Sequence, residues 1–145
     1  MEIAGRVVIV TGAGSGVGRA LAVEFARNGA RVVCAGRRAH RLDETVDTIG
    51  KEGGAAIAVP TDITDRAAVD RLVAQTLAAY GKIDVLFNNA GSFSALGPVW
   101  AVDPAVWWND VTVNVLGTML CCHAVLPHML GRNSGVILNM SGGNQ

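Results

Sequence analysis

Five short apolar runs, the first of them wholly β-branched, punctuate this chain, and the four intervals between them carry helical spacing. The runs are Val7–Val10, Arg31–Ala35, Ala55–Val59, Ile83–Phe87 and Val136–Met140. Between them, Val17–Arg27 and Leu42–Ile49 repeat apolar residues every three to four positions. So do Val69, Leu72, Val73, Thr76 and Leu77, and a long segment from Pro104 to Leu130. Strands that are apolar throughout, rather than alternating, have both faces covered, and parallel neighbours need helical crossovers. With right-handed crossovers this predicts an α/β fold: a doubly wound parallel sheet of five strands in the order 3-2-1-4-5 inside a three-layer α/β/α sandwich. No linker, repeat or low-complexity stretch interrupts residues 1–145, so one domain is expected.

Charge and composition exclude several classes. Half the residues are hydrophobic, mean hydropathy is +0.36, and twelve basic residues balance twelve acidic ones. The chain can bury a core, and it presents no net positive field for nucleic acid or anionic lipid. Met1–Arg6 lacks the basic-then-apolar pattern of a secretory leader, so a cytoplasmic location is expected. Cys34, Cys121 and Cys122 are an odd number without framework spacing, and they read as small buried hydrophobes in a reducing compartment. No His or Cys spacing suggests a metal site. Val111–Leu130 carries no formal charge and matches the length of a membrane span. Its Asn114, His123 and His128, with strands predicted on both sides, favour a helix buried between protein layers and no membrane contact.

Thr11-Gly12-Ala13-Gly14-Ser15-Gly16-Val17-Gly18 lies directly between the first strand and the first helix. Glycines there allow a sharp turn and close backbone approach, and the N–H groups opening the helix offer partial positive charge to a phosphate. A Walker A loop would end in Gly-Lys-Ser/Thr, but Arg19-Ala20 follows Gly18. A nucleophile elbow would need glycine where Ala13 stands. A tight turn without a ligand remains the alternative for such a loop. In an open, Rossmann-type α/β sheet, however, ligands sit at the carboxyl ends of the strands, so the loop reads as a phosphate site, although the spacing G-x-G-x-x-G fails because Val17 stands five positions after Gly12.

Thr11-Gly12-x-x-x-Gly16-x-Gly18 resembles the cofactor loop of the short-chain dehydrogenase/reductase family. Asn88-Asn89-Ala90-Gly91 after the fourth strand resembles that family's second signature, and Asn114-Val115-x-Gly117 its third. Asp62 and Ile63 follow the third strand, where the family touches adenine. The resemblance implies that Thr11, Gly12, Gly14, Ser15, Gly16, Val17, Gly18, Asp62, Ile63, Asn89, Ala90 and Gly91 bind the cofactor. From the residues alone, Asn88 and Asn89 could equally cap a turn.

Cofactor choice rests on the end of the second strand. An acid there accepts the ribose 2′-hydroxyl of NAD, whereas arginine neutralises the 2′-phosphate of NADP. The chain reads Ala35-Gly36-Arg37-Arg38 with no acid before Asp43, which favours NADP over NAD. The alternative for Arg37 and Arg38 is the exposed start of a helix.

The resemblance further implies hydride transfer between nicotinamide and an alcohol or carbonyl substrate. A tyrosine would move the proton, a lysine four residues on would lower its pKa, a serine would polarise the carbonyl, and an asparagine would anchor a relay water. Asn114 fits the last role; a satisfied packing amide is the alternative. Ser141 is the serine candidate, although the family's usual position falls on Gly142. The only tyrosine is Tyr80 and the only lysines are Lys51 and Lys82, so no Tyr-x-x-x-Lys occurs. The expectation is a truncated, catalytically incomplete cofactor half of an oxidoreductase that forms homo-oligomers through the long helix when full length. A noncatalytic dinucleotide-binding or interaction module is the competing class. Relative to the family, the fold is expected to be incomplete, leaving an apolar helix and a free strand edge open to solvent.

Overall fold

A computed structural model describes residues 2–142; Met1 and residues 143–145, the ends of the expected domain, lie outside the described residues. Strands β1 (Val7–Thr11), β2 (Arg31–Gly36), β3 (Ala55–Pro60), β4 (Val85–Asn88) and β5 (Val136–Asn139) form one parallel sheet in the order β3-β2-β1-β4-β5. Helices α1 (Gly16–Arg27) and α2 (Ala39–Lys51) connect the first three strands, and α3 (Arg66–Tyr80) leads to β4. The expected strand order and layering are both present.

Alternation along the strands divides the core into two layers. Val8 and Val10 of β1 join Val32, Ala22, Leu42 and Val85 beneath α1 and α2. Ile9 joins Val33, Leu72, Leu86 and Val125 on the opposite face, beneath α3 and the long helix. Every β1 residue is buried, because β1 is central and covered on both faces. Asp65 caps α3 by accepting the Ala67 N–H at 3.0 Å, and Gly81 ends it at φ 75°, a left-handed conformation that glycine adopts freely.

The long helix departs from expectation in two ways. It runs as α4 (Pro104–Val111), a π-helical turn (Thr112–Gly117) and α5 (Thr118–Gly131), rather than as one regular helix. It is also not buried on all sides. Asp110, Gly117, Cys121, Val125 and Met129 form one inner stripe, while Val115, Met119, Leu126 and Leu130 are exposed. The segment Pro104–Gly131 is long and apolar enough to cross a membrane, yet its inner stripe packs against α3 and β4. Among the described residues β5 pairs only with β4, so its outer edge is free.

At the amino-terminal edge of the sheet, Asp84 is 2% exposed and holds three elements together. Its carboxylate accepts the Val7 N–H at 2.9 Å and pairs with Lys82 and Arg132 at 2.9 Å each, with Arg6 at 3.7 Å. Burial alone would raise its pKa; the Lys82, Val7 and Arg132 hydrogen bonds outweigh it and bring the carboxyl down to about 2.

Candidate functional site

At the opposite edge, the loops leaving β1, β2, β3 and β4 enclose a cavity of about 270 Å³. It lies where β1 has β2 on one side and β4 on the other, the switch point of the sheet. Gly12, Gly14, Ser15, Val17, Gly18, Arg37, Arg38, Asp62, Ile63, Asn89, Ala90 and Gly91 all line it. Gly36, Arg41, Thr61, Asn109 and Val113, which the sequence reading passed over, line it too.

Thr11 and Gly16 do not line this cavity. Thr11 is buried, and its Oγ1 accepts the N–H groups of Asn89 and Ala90 at 3.0 Å each. Asn89 Nδ2 returns a bond to the Thr11 carbonyl at 3.1 Å. These three bonds lash the end of β1 to the end of β4, so Asn89 both braces the loop and faces the cavity. At two of its glycines the loop has no room for a side chain. Gly12 sits at φ +68°, and a Cβ on it would come within 2.9 Å of Asn89 Nδ2. A Cβ on Gly18 would collide with the Gly12 carbonyl oxygen and Asn89 Nδ2.

The helix beginning here keeps its donors open. Ser15 is the N-cap of α1 but makes no side-chain capping bond, whereas Asp65 and Asp103 cap α3 and α4. The first N–H groups of α1 and the positive end of its dipole therefore remain available to an anion in the cavity. Arg37, Arg38 and Arg41 stand at the rim, with Arg38 donating to Ser15 Oγ at 3.4 Å. Glu44 pairs with Arg41 at 3.3 Å and with Arg19 at 3.2 Å. The cavity's single acid, Asp62, accepts the Thr64 hydroxyl at 2.7 Å and the Thr64 N–H at 2.9 Å. Those two bonds, with a smaller contribution from Arg37, hold its carboxyl below the usual range despite partial burial.

A second, more open cavity of about 770 Å³ adjoins the first across Asn89–Gly91 and is also lined by Ser92, Phe93, Asn114, Thr118, Asn139, Met140 and Gly142. Asn114 lies at the centre of the π-helical turn. Its Oδ1 accepts the Ser92 N–H at 2.8 Å and its Nδ2 donates to the Ser92 carbonyl at 2.7 Å. Ser141 is exposed beyond β5 and is not among this cavity's walls, whereas Gly142 is. Asn88 turns away from the cofactor cavity. It is 5% exposed and bridges β4 to β5 through Asn139 Oδ1 at 2.9 Å, while its own Oδ1 finds no donor among the described residues.

Asp110 escaped the sequence reading. It is 7% exposed and accepts the Ser92 hydroxyl at 2.5 Å and the N–H groups of Ser94 and Ala95 at 2.8 Å each. The available signal was an acid at the edge of an otherwise uncharged helix, which must find donors if it turns inward. Tyr80 and Lys82 are far from both cavities. Tyr80 ends α3 beside Arg31, the first residue of β2, and Lys82 is engaged by Asp84 at the amino-terminal edge. Among the described residues no group of His, Cys, Asp and Glu could hold a metal ion.

A family model described as short chain dehydrogenase matches residues 6–144. The chain belongs to the short-chain dehydrogenase family. A short chain dehydrogenase of Pseudocercospora fijiensis is 42% identical over 142 residues, covering 97% of this chain and 46% of its own length. A metagenomic short-chain oxidoreductase in complex with NADP superposes with a TM-score of 0.91 at 34% identity, over 98% of this chain and 64% of that one. An NAD+-bound xylitol dehydrogenase superposes at 0.92 with 32% identity, over 96% of this chain and 54% of that one. The chain spans about half the length of the curated relatives it matches. The fold and the oxidoreductase family are thus shared with enzymes that hold either dinucleotide.

Proposed function

We propose that this chain is the cofactor-binding portion of an NADP(H)-dependent oxidoreductase acting on an alcohol/carbonyl pair. The observation supporting this most strongly is the rim of Arg37, Arg38 and Arg41 at the end of β2, with no carboxylate where NAD would need one. Guanidinium groups there suit the 2′-phosphate, and the uncapped start of α1 suits the pyrophosphate. The close-packed Gly12 and Gly18 let backbone, not side chain, meet the ligand. Asp62 and Ile63 would border adenine, and Asn89–Gly91 would lead the nicotinamide end toward the second cavity.

Bound there, the cofactor would supply or accept hydride at nicotinamide C4. This chain's own residues would orient it, exclude water and present the substrate cavity. Asn114 would anchor a relay water with what its Ser92 bonds leave free: one lone pair on Oδ1, one N–H on Nδ2 and its backbone carbonyl. A π-helical turn shifts the hydrogen-bond register, so the peptide carbonyls of Thr112–Gly117 would be further acceptors for that water. Ser141 is the neighbouring hydroxyl available for carbonyl polarisation, and would have to swing in from outside the cavity wall. A reducing, cytoplasmic setting with no nucleic-acid or membrane partner completes this reading. It accords with the free thiols, of which burial pushes Cys34 and Cys121 up to about 12.

Calorimetric titration tests the assignment. In the variant carrying Arg37→Ala and Arg38→Ala, NADPH affinity should fall at least about tenfold while NADH affinity changes less than about threefold. Equal losses for the two would overturn the NADP assignment. A second reading is a noncatalytic binding module; among the described residues, Tyr80 and Lys82 lie at the opposite edge of the sheet from both cavities. NADPH binding without turnover across a panel of carbonyl compounds would support it.

A further inference from the structure

We infer that Asp110 is a positioning residue that locks the loop Ser92–Ala95 and thereby presents Phe93 as an apolar, ring-sized wall of the second cavity. That wall would select carbonyl compounds bearing an apolar ring next to the carbonyl; the inference rests on the oxidoreductase reading above. The loop has no secondary structure of its own, and one helix face supplies most of its hydrogen-bond partners. Asp110 holds the Ser92 hydroxyl and the Ser94 and Ala95 N–H groups, and Asn114, one turn on, holds both sides of the Ser92 peptide. Phe93 is therefore flanked on either side by residues that cannot shift without breaking these bonds, three of them partly buried. Its ring takes no part in the clamp. It is 72% exposed and faces the cavity shared with Asn114, Thr118 and Met140.

A large aromatic side chain held this way keeps its contact surface at low entropic cost, because its backbone is already ordered. The carboxylate is also suited to the task in charge. Three donors, the Ser92 hydroxyl foremost, keep it ionised. An amide there could keep all three bonds by turning its oxygen to the Ser94 and Ala95 N–H groups and donating to the Ser92 hydroxyl, whereas alanine removes every acceptor and loosens the loop.

The test uses the chain saturated with NADPH and two probes, acetophenone and acetone, with affinities read by NMR titration. The wild type should bind acetophenone at least about tenfold more tightly than acetone. Phe93→Ala, at an exposed position, should retain the fold and abolish that ratio. Asp110→Ala, which removes all three acceptors, should reduce the ratio at least about fivefold while NADPH affinity stays within twofold. A double-mutant cycle separates positioning from general destabilisation: in the Phe93→Ala background, Asp110→Ala should cost no further selectivity. If Asp110→Ala does not fold, Ser92→Ala, which removes one bond of the clamp, takes its place in the same cycle. NADPH binding with no preference for acetophenone, or a preference indifferent to Phe93 or additive with Asp110, overturns the inference alone. Absence of NADPH binding to the wild type overturns both it and the proposed function.

Discussion

A single added methyl group at Gly18 probes how closely the chain is drawn together around its cavity. Gly18→Ala must push apart the Gly12 carbonyl and Asn89, so it should lower stability by about 1–3 kcal/mol and reduce dinucleotide affinity as the loop shifts. Thermal unfolding and calorimetry read the two effects. At the other edge, Asp84 is ionised against three cations, and its carboxyl is depressed from 3.8 to about 2. A depressed folded pKa contributes stability that is present above about pH 4 and lost as pH falls through about 2. Asp84→Asn should therefore destabilise the fold by about 2–3 kcal/mol at pH 7, with the gap to wild type closing between pH 4 and 2 in denaturant titrations. Neither Asp84 nor Asp110 could be assigned a role from sequence. Lys82 apart, their partners lie 15 or more positions away, and no periodicity encodes such contacts. The glycine loop and the Asn88–Gly91 turn, by contrast, are local, and their order along the chain sufficed.

Among the elements, α1 and α3 differ in how they begin. Asp65→Ala removes a real cap from α3 and should cost about 1 kcal/mol. Ser15 caps nothing, so Ser15→Asp should stabilise α1 by about 0.5–1 kcal/mol at low salt. That same carboxylate would occupy the open N–H groups and neutralise Arg38, weakening NADPH binding at least about tenfold. A stabilised variant that binds NADPH as well as wild type would show that the start of α1 does not hold the phosphates. The strands were legible because short apolar runs separated by helical spacing admit little else than a parallel sheet. The π-helical turn was not. Nothing between Val111 and Gly117 breaks a helix by propensity; the register shift accompanies Asn114 reaching to Ser92, a tertiary contact.

At the largest scale, the open face of the long helix and the outer edge of β5, unpaired among the described residues, dominate. Val115, Met119 and Leu130 are each more than half exposed on a helix whose inner stripe is fully used. The account predicts self-association through this face, seen as dimers or larger species in sedimentation at tens of micromolar. Met119→Glu should return the chain to monomer without altering NADPH affinity. A wild type that sediments as a monomer throughout would refute this.

The claim on which the rest depends is that a nicotinamide dinucleotide occupies the bend between β1 and α1, and amide chemical-shift mapping tests it most directly. Adding NADPH to isotopically labelled protein should move the resonances of residues 12–18, 36–38, 61–63 and 89–91. Those of Lys82, Asp84 and Arg132, at the far edge, should stay in place. No shifts at millimolar NADPH, or shifts confined to that far edge, would contradict the account.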